Sequence, residues 1–289
     1  MKPASFKYIA AKSLDHALAL KSEHQDDATF LAGGQSLVPT MNFRLAQPAI
    51  LIDLNPLDGL SYVKQENGVV WIGAMTRYRS LERDPDLAKL LPLIAEALPH
   101  IAHPQIRNRG TIGGNLSHAD PASELPTIVT ALQGRLRAQS ASGERWISAS
   151  DFFVAPLTNA LKPDEMLVEI ELPAASKQSG FCFMEVSRRR GDFAMIGAAA
   201  QLSLGTDGKC TGARLVLCGA GEKPADVSGR LAPLIGEIPD SARIAKVAAE
   251  IQSAIEPGGN VHASPDYQRH LAGVLTQRVL ATAAERARV

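Results

Sequence analysis

The sequence predicts an α+β protein, and three features of its patterning carry that reading. Short apolar runs alternate with helical periodicity near the N-terminus, alternating strand patterns and a hairpin signal occupy the middle, and β-type segments followed by two amphipathic helices finish the chain. With 289 residues, 45% of them hydrophobic, the chain can bury a substantial core, and its length suits two or three domains better than one. Residues 1–56, 57–176 and 177–289 are the expected units.

In the first unit, Ser13 is a capping residue, and Leu14, Leu18 and Leu20 recur at helical spacing after it. The runs Thr29-Phe30-Leu31-Ala32 and Ala49 to Leu54 read as short buried strands with a loop and short helix between them. Asn55-Pro56 to Asp58-Gly59 is a turn that closes this unit. In the second, Leu60 to Gly73 reads as two strands around an Asn67-Gly68 hairpin. Helical periodicity follows through Arg79–Leu87 and Leu90–Ala97, and residues 134–173 return to a strand pattern that ends in the alternating run Leu167 to Pro173. Ser176 to Gly180 is the clearest linker. In the third unit, residues 180–186, 198–204 and 213–218 read as an antiparallel sheet, its last two strands joined by the Thr206 to Lys209 turn. Helices over Ala242–Ile255 and from Ser264-Pro265-Asp266 onward would cover one side of that sheet, the second presenting Tyr267, Leu271, Val274, Leu275 and Val279 on one face.

Composition excludes several function classes. Thirty basic residues balance thirty acidic ones, so nothing favours a nucleic-acid partner. Met1 to Ala10 contains no apolar signal region, and no stretch approaches the roughly 18 consecutive apolar residues of a membrane helix. No membrane span is expected, and the cytoplasm is the expected compartment. Cys182, Cys210 and Cys218 have no paired spacing, which fits a reducing compartment and buried thiols. They cannot supply the Cys₄ set that holds an iron–sulfur cluster. The histidines show no metal spacing.

Two glycine pairs stand out, each after a plausible strand end: Ala32-Gly33-Gly34-Gln35-Ser36-Leu37 and Thr111-Ile112-Gly113-Gly114-Asn115. Paired glycines adopt backbone shapes closed to other residues and bring N–H groups close to an anion. Gln35, Ser36, Thr111 and Asn115 add neutral donors. Neither segment is a Walker loop or GxGxxG. A single pair is an ordinary tight turn, but two with similar neighbours could grip a diphosphate from both sides without a buried cation. From the residues alone, tight turns and a phosphate-bearing ligand stand level.

These two segments, with Ser187-Arg188-Arg189-Arg190-Gly191-Asp192-Phe193-Ala194, resemble the FAD-binding medium subunits of molybdenum hydroxylases, a family that includes carbon monoxide dehydrogenase, xanthine dehydrogenase and N-heteroaromatic hydroxylases. The resemblance covers nearly the whole chain, from Phe6-Lys7-Tyr8 through His103 to Gly110 and on to the Tyr267–Leu280 helix. It implies a two-lobed FAD-binding domain of the vanillyl-alcohol-oxidase type followed by a small C-terminal α/β domain. The two glycine loops would wrap the FAD diphosphate. By the same resemblance Glu124 would contact the adenosine portion and Asp120 would order the second loop. Ile101 would lie near the flavin or its ribityl chain, Leu167 near the isoalloxazine ring, and Phe193 against the flavin. His103 and His118 lie in or beside the motif loops and would either touch the ligand or support the backbone. Many relatives carry a lysine two residues before the position of Ser187, where this chain has Glu185, a departure that bears on redox tuning.

The resemblance also implies a reaction. Substrate, an N-heteroaromatic compound or an aldehyde, would be oxidised at a molybdenum–pterin centre in a large subunit. Electrons would cross two 2Fe–2S clusters in a small subunit and reach the FAD of this chain, in a dimer of heterotrimers. No catalytic base or metal site is then needed here, because the flavin carries the redox chemistry. The alternative is a stand-alone FAD-dependent oxidase or reductase of the same fold.

Overall fold

The computed structural model describes residues 1–288, so Val289, the last residue of the third expected unit, lies outside the described residues. The chain begins with β1 (Lys7–Ala10), α1 (Leu14–His24), β2 (Ala28–Leu31), α2 (Leu37–Asn42) and β3 (Ile50–Asp53). Ser13 caps α1 by accepting from the His16 N–H at 3.1 Å. The three strands form a parallel sheet in the order β1-β3-β2. Central β3 is buried at every position, which is why Ile50 to Ile52 read as a continuous apolar run. Strand β1, mostly exposed, has no such signature.

The hairpin β4 (Val63–Glu66) and β5 (Val69–Gly73) turns on Asn67 and Gly68, both at positive φ (51° and 77°), as a tight two-residue turn requires. Six short helices follow: α3 (Tyr78–Arg83), α4 (Leu87–Leu90), α5 (Pro92–Ala97), α6 (Pro104–Arg107), α7 (Ile112–His118) and α8 (Glu124–Ala131). The helix expected over Arg79–Leu87 breaks at Asp84, whose ψ of 116° is the extended shape imposed by Pro85. Then come β6 (Arg135–Ser140), β7 (Gly143–Ser148), α9 (Ala149–Phe152), the ribbon β8 (Phe153–Ala155) and β9 (Thr158–Asn159), and β10 (Met166–Pro173). A five-stranded antiparallel sheet in the order β4-β5-β10-β6-β7 packs under the helices around Ile72, Leu93, Ile112, Leu116, Ile128 and Leu136.

The last part is an antiparallel sheet of β11 (Ser179–Ser187), β12 (Ala194–Leu204), β13 (Cys210–Cys218) and β14 (Ala225–Asp226), followed by α10 (Ser241–Ala254) and α11 (Pro265–Arg286). Strand β11 begins at Ser179, inside the expected linker. Its alternation sorts the side chains onto two faces. Cys182, Ala198, Ala200, Leu215 and Leu217 pack beneath α10 and α11. Phe181, Phe183, Ala199 and Val216 join the core of the preceding part. Helices were expected on one side of this sheet, and the preceding lobe occupies the other. Glu96 of α5 fastens that docking by accepting from the Phe183 N–H at 2.8 Å and from Arg286 of α11. Among the described residues no helix is long and apolar enough to cross a membrane.

Candidate functional site

The two glycine segments meet, although they belong to different lobes. The first leaves β2 and enters α2. The second does not follow a strand, contrary to the sequence reading: Gly113 and Gly114 lie inside α7, whose N-cap Thr111 accepts from the Gly114 N–H at 3.1 Å. Glycine is required there for closeness. A Cβ on Gly113 would stand 2.6 Å from the Ala74 carbonyl oxygen, and one on Gly33 would stand 2.5 Å from that of Arg109. Gly34 differs, having φ of +73°, so it forms the turn itself.

A polar stitch joins the loops from behind. Asn55 donates through Nδ2 to the Ala32 carbonyl at 3.0 Å, and Arg77 donates to both the Asn55 side-chain oxygen and the Arg109 carbonyl. Asp53 anchors Asn55 by accepting from its N–H at 3.0 Å, while Tyr8 donates to the same carboxylate at 2.5 Å. Burial opposes the Asp53 charge, yet these hydrogen bonds and Arg109 together hold its pKa below the usual carboxylate range.

Between the loops runs a cleft of about 530 Å³. Of the residues expected to bind the cofactor, Ala32, Gly33, Gly34, Gln35, Ser36, Leu37, Thr111, Gly113, Gly114, Asn115, His118 and Leu167 line it. Four expected residues do not. Asp120 accepts from the Ala122 N–H at 2.9 Å, which orders the chain after α7. Ile101 is buried in the core, and its carbonyl accepts from Arg107. Phe193 is 70% exposed at a turn whose Gly191, at φ +90°, presses against Ala102 and His103. Glu124 is buried at the head of α8, behind the cleft wall.

The cleft also holds residues the sequence did not single out. Leu54, Met75, Leu161 and Met166 make its walls apolar, and Tyr78 and Gly110 also line it. Two lysines line it, against the expectation of a grip without cations. Lys21 donates to the Gln25 and Ala28 carbonyls at 2.6 Å each, and burial lowers its pKa although Asp26 and Asp164 oppose this. Lys162 lies beside Glu165, whose charge is taken up by a two-pronged contact with Arg145 at 2.7 and 2.8 Å. The helical periodicity of α1 conceals Lys21, since nothing local marks it as a residue that lines a cleft.

The donor set suits a dinucleotide. Glycine backbones that leave no room for a Cβ, neutral donors and two lysines match a diphosphate, and the apolar walls match flat ring systems at either end. Comparison with known proteins decides the family. Residues 4–175 match the model of the FAD binding domain in molybdopterin dehydrogenase, and residues 181–283 match that of the CO dehydrogenase flavoprotein C-terminal domain. The chain belongs to the FAD-binding medium subunits of the molybdenum hydroxylases.

Among its relatives is the 6-hydroxypseudooxynicotine dehydrogenase complex subunit alpha of Paenarthrobacter nicotinovorans, 41% identical over 100% of this chain and 97% of the relative. Caffeine dehydrogenase subunit beta of a Pseudomonas strain is 39% identical over 99% and 97%. Among solved structures, carbon monoxide dehydrogenase from Hydrogenophaga pseudoflava superposes with a TM-score of 0.95 at 34% identity over 99% of both chains. Quinoline 2-oxidoreductase from Pseudomonas putida 86 does so with 0.95 at 35% over the whole of both. The medium subunit is therefore an FAD-binding oxidoreductase component, with a two-lobed FAD domain followed by a C-terminal domain. In this flavoprotein the three cysteines are buried and free.

Proposed function

We propose that this flavoprotein holds one FAD between its two glycine loops and passes electrons from 2Fe–2S clusters of a small partner subunit to an external acceptor. The observation that carries the reading is the meeting of Gly33 with Arg109 and Gly110 at the head of a cleft lined by both loops. In it, Gly33 to Leu37 and Thr111 to Asn115 hold the diphosphate, Leu167 and the neighbouring apolar wall face a ring system, and His118 lies along the ligand. Asp120 and Ile101 act through the loops they brace. When bound, FAD supplies the means to collect electrons singly and release them in pairs, while the chain orients it and limits its contact with water.

The rest of the assembly follows from the company the chain keeps. Relatives are described as subunits of a complex, as a nicotine 6-hydroxylase medium subunit and as carbon monoxide dehydrogenase medium chains. We place this chain with a large molybdenum–pterin subunit and a small iron–sulfur subunit, in a cytoplasmic dimer of heterotrimers, with segments 1–56, 57–176 and 177–289 as its units. The relatives named for nicotine derivatives, caffeine and quinoline favour an N-heteroaromatic substrate, bound in the large subunit.

Purification of the chain with its co-expressed partners tests this. A flavin absorption spectrum bleached by dithionite, with molybdenum and iron in the same complex, is the expected result. A lone chain with FAD, no metals and full substrate turnover would overturn the subunit reading.

A further inference from the structure

The exposed apolar residues are not spread evenly over the surface. Leu45 is 82% exposed and Phe43 63%, and Val38 and Phe6 are exposed as well. The first three lie on α2 or the turn that follows it. That turn is fixed: the Leu45 and Ala46 N–H groups both donate to the Thr40 carbonyl, at 3.0 and 3.5 Å, and Arg44 adopts the left-handed region with φ of 58°. The N-terminal segment runs alongside. Arg44 Nε donates to the Lys2 carbonyl at 3.4 Å, and the Lys7 N–H to the Ala49 carbonyl at 2.8 Å. Phe6 thereby joins the edge that the turn presents. An apolar patch held in water by a fixed backbone marks an interaction surface.

Its rim is of one sign. Residues 1–14 and 28–52 contain no aspartate or glutamate, while Lys2, Lys7 and Arg44 stand exposed among them. Asp53, the next acid along the chain, is buried and bonded to Tyr8 and Asn55. An apolar centre with a basic rim fits a partner whose docking face is apolar in the middle and acidic at its margin. The place of the patch narrows that partner further. Ser36, Leu37, Thr40 and Ala46, from the same helix and turn, line the cleft between the glycine loops. The patch is therefore the outer bank of that cleft. The other surface that combines basic residues with an exposed aromatic, Arg188 to Arg190 with Phe193, includes no residue of the cleft lining.

Electron transfer weakens steeply with distance, so a donor must dock at the edge of the cleft it serves. The cysteines of this chain are buried and free, which leaves any iron–sulfur cluster to another chain. A 2Fe–2S cluster is itself an anion when oxidised, because its core offsets only half the charge of its four thiolates. Resting on the subunit reading above, we propose that the turn after α2 is the docking face for the small iron–sulfur subunit. Leu45 and Phe43 form its apolar centre, and Lys2, Lys7 and Arg44 meet acidic groups on the cluster-bearing side of that partner.

The test uses the full chain and its co-expressed complex. With the native thiols buried, Leu45→Cys supplies a single exposed one. Maleimide should label it readily in the chain alone and at least tenfold more slowly in the complex. A photoreactive benzophenone amino acid in place of Phe43 should cross-link to the small subunit, identified by its mass. Leu45→Asp should raise the dissociation constant of the small subunit at least tenfold, while FAD content stays that of the wild type. Arg44→Glu should weaken the same pair at low salt, and the loss should shrink as salt rises. Equal labelling in both states, or cross-links only to the large subunit or to a second copy of this chain, would overturn the proposal. So would a Leu45→Asp complex that holds its small subunit at full affinity. Should Leu45→Asp fail to fold, labelling and cross-linking decide alone. A wild type that assembles with no iron–sulfur chain is a separate outcome, which removes the subunit reading itself.

Discussion

In the pair Gly33-Gly34 the first glycine makes a close approach and the second makes the turn, with φ of +73° at Gly34. In Gly113-Gly114 neither residue has positive φ, and both sit inside α7, the first against Ala74 and the second against its own cap, Thr111. Two segments that look alike on the page thus use glycine for different reasons. One is a bend that needs left-handed backbone. The other is a helix end laid so near a strand exit that a methyl group has no place.

That contrast can be pressed experimentally. Gly33→Ala and Gly113→Ala have backbone atoms in the way, so each should cost about 3 kcal/mol by chemical denaturation, the upper end for overpacking. Gly34→Ala meets only the flexible ends of Leu31 and Val38 and should cost about 1 kcal/mol, from its backbone angle alone. Equal losses at Gly33 and Gly34 would erase the distinction. Arg77→Ala, which cuts the stitch between the lobes, should cost about 2 kcal/mol, the worth of hydrogen bonds from a charged donor. A change below a few tenths would mean that the glycine contacts hold the lobes unaided.

The smallest effect on folding is expected at Gly114→Ala. Alanine gains roughly 1 kcal/mol in a helix, and disturbing the Thr111 hydroxyl 2.8 Å away loses about as much of the cap. Stability should stay within about 0.5 kcal/mol of the parent, so FAD affinity becomes the informative readout. Tenfold or greater loss of affinity from a normally stable protein assigns Gly114 to the ligand. Unchanged affinity assigns it to the cap.

Much of the fold was legible because its signals are local. The Asn67-Gly68 turn, the Ser13 cap and the apolar run of β3 each announce themselves within a few residues. Helices α6 to α8 were not read: α6 is only four residues long, two glycines interrupt α7, and α8 is buried at every position and so shows no amphipathic period. The glycine loops were legible as a motif, yet Lys21, Tyr78 and the Asn55–Arg77 stitch were not, because their roles come from residues far along the chain. Glu185 stood out in the sequence as a departure, and its meaning required the sheet register that turns it toward the FAD lobe. The second face of the C-terminal sheet was missed for a similar reason: strict alternation marks both faces as apolar without saying what covers each.

The contact of Gly33 with Arg109 and Gly110 makes the cleft a seam, owned by neither lobe. With FAD in that seam, as proposed above, yellow colour becomes a tally of correctly closed molecules. A chain split after residue 56 would be colourless as two fragments and would turn yellow only on their reunion, so absorbance alone could follow assembly in a crude extract.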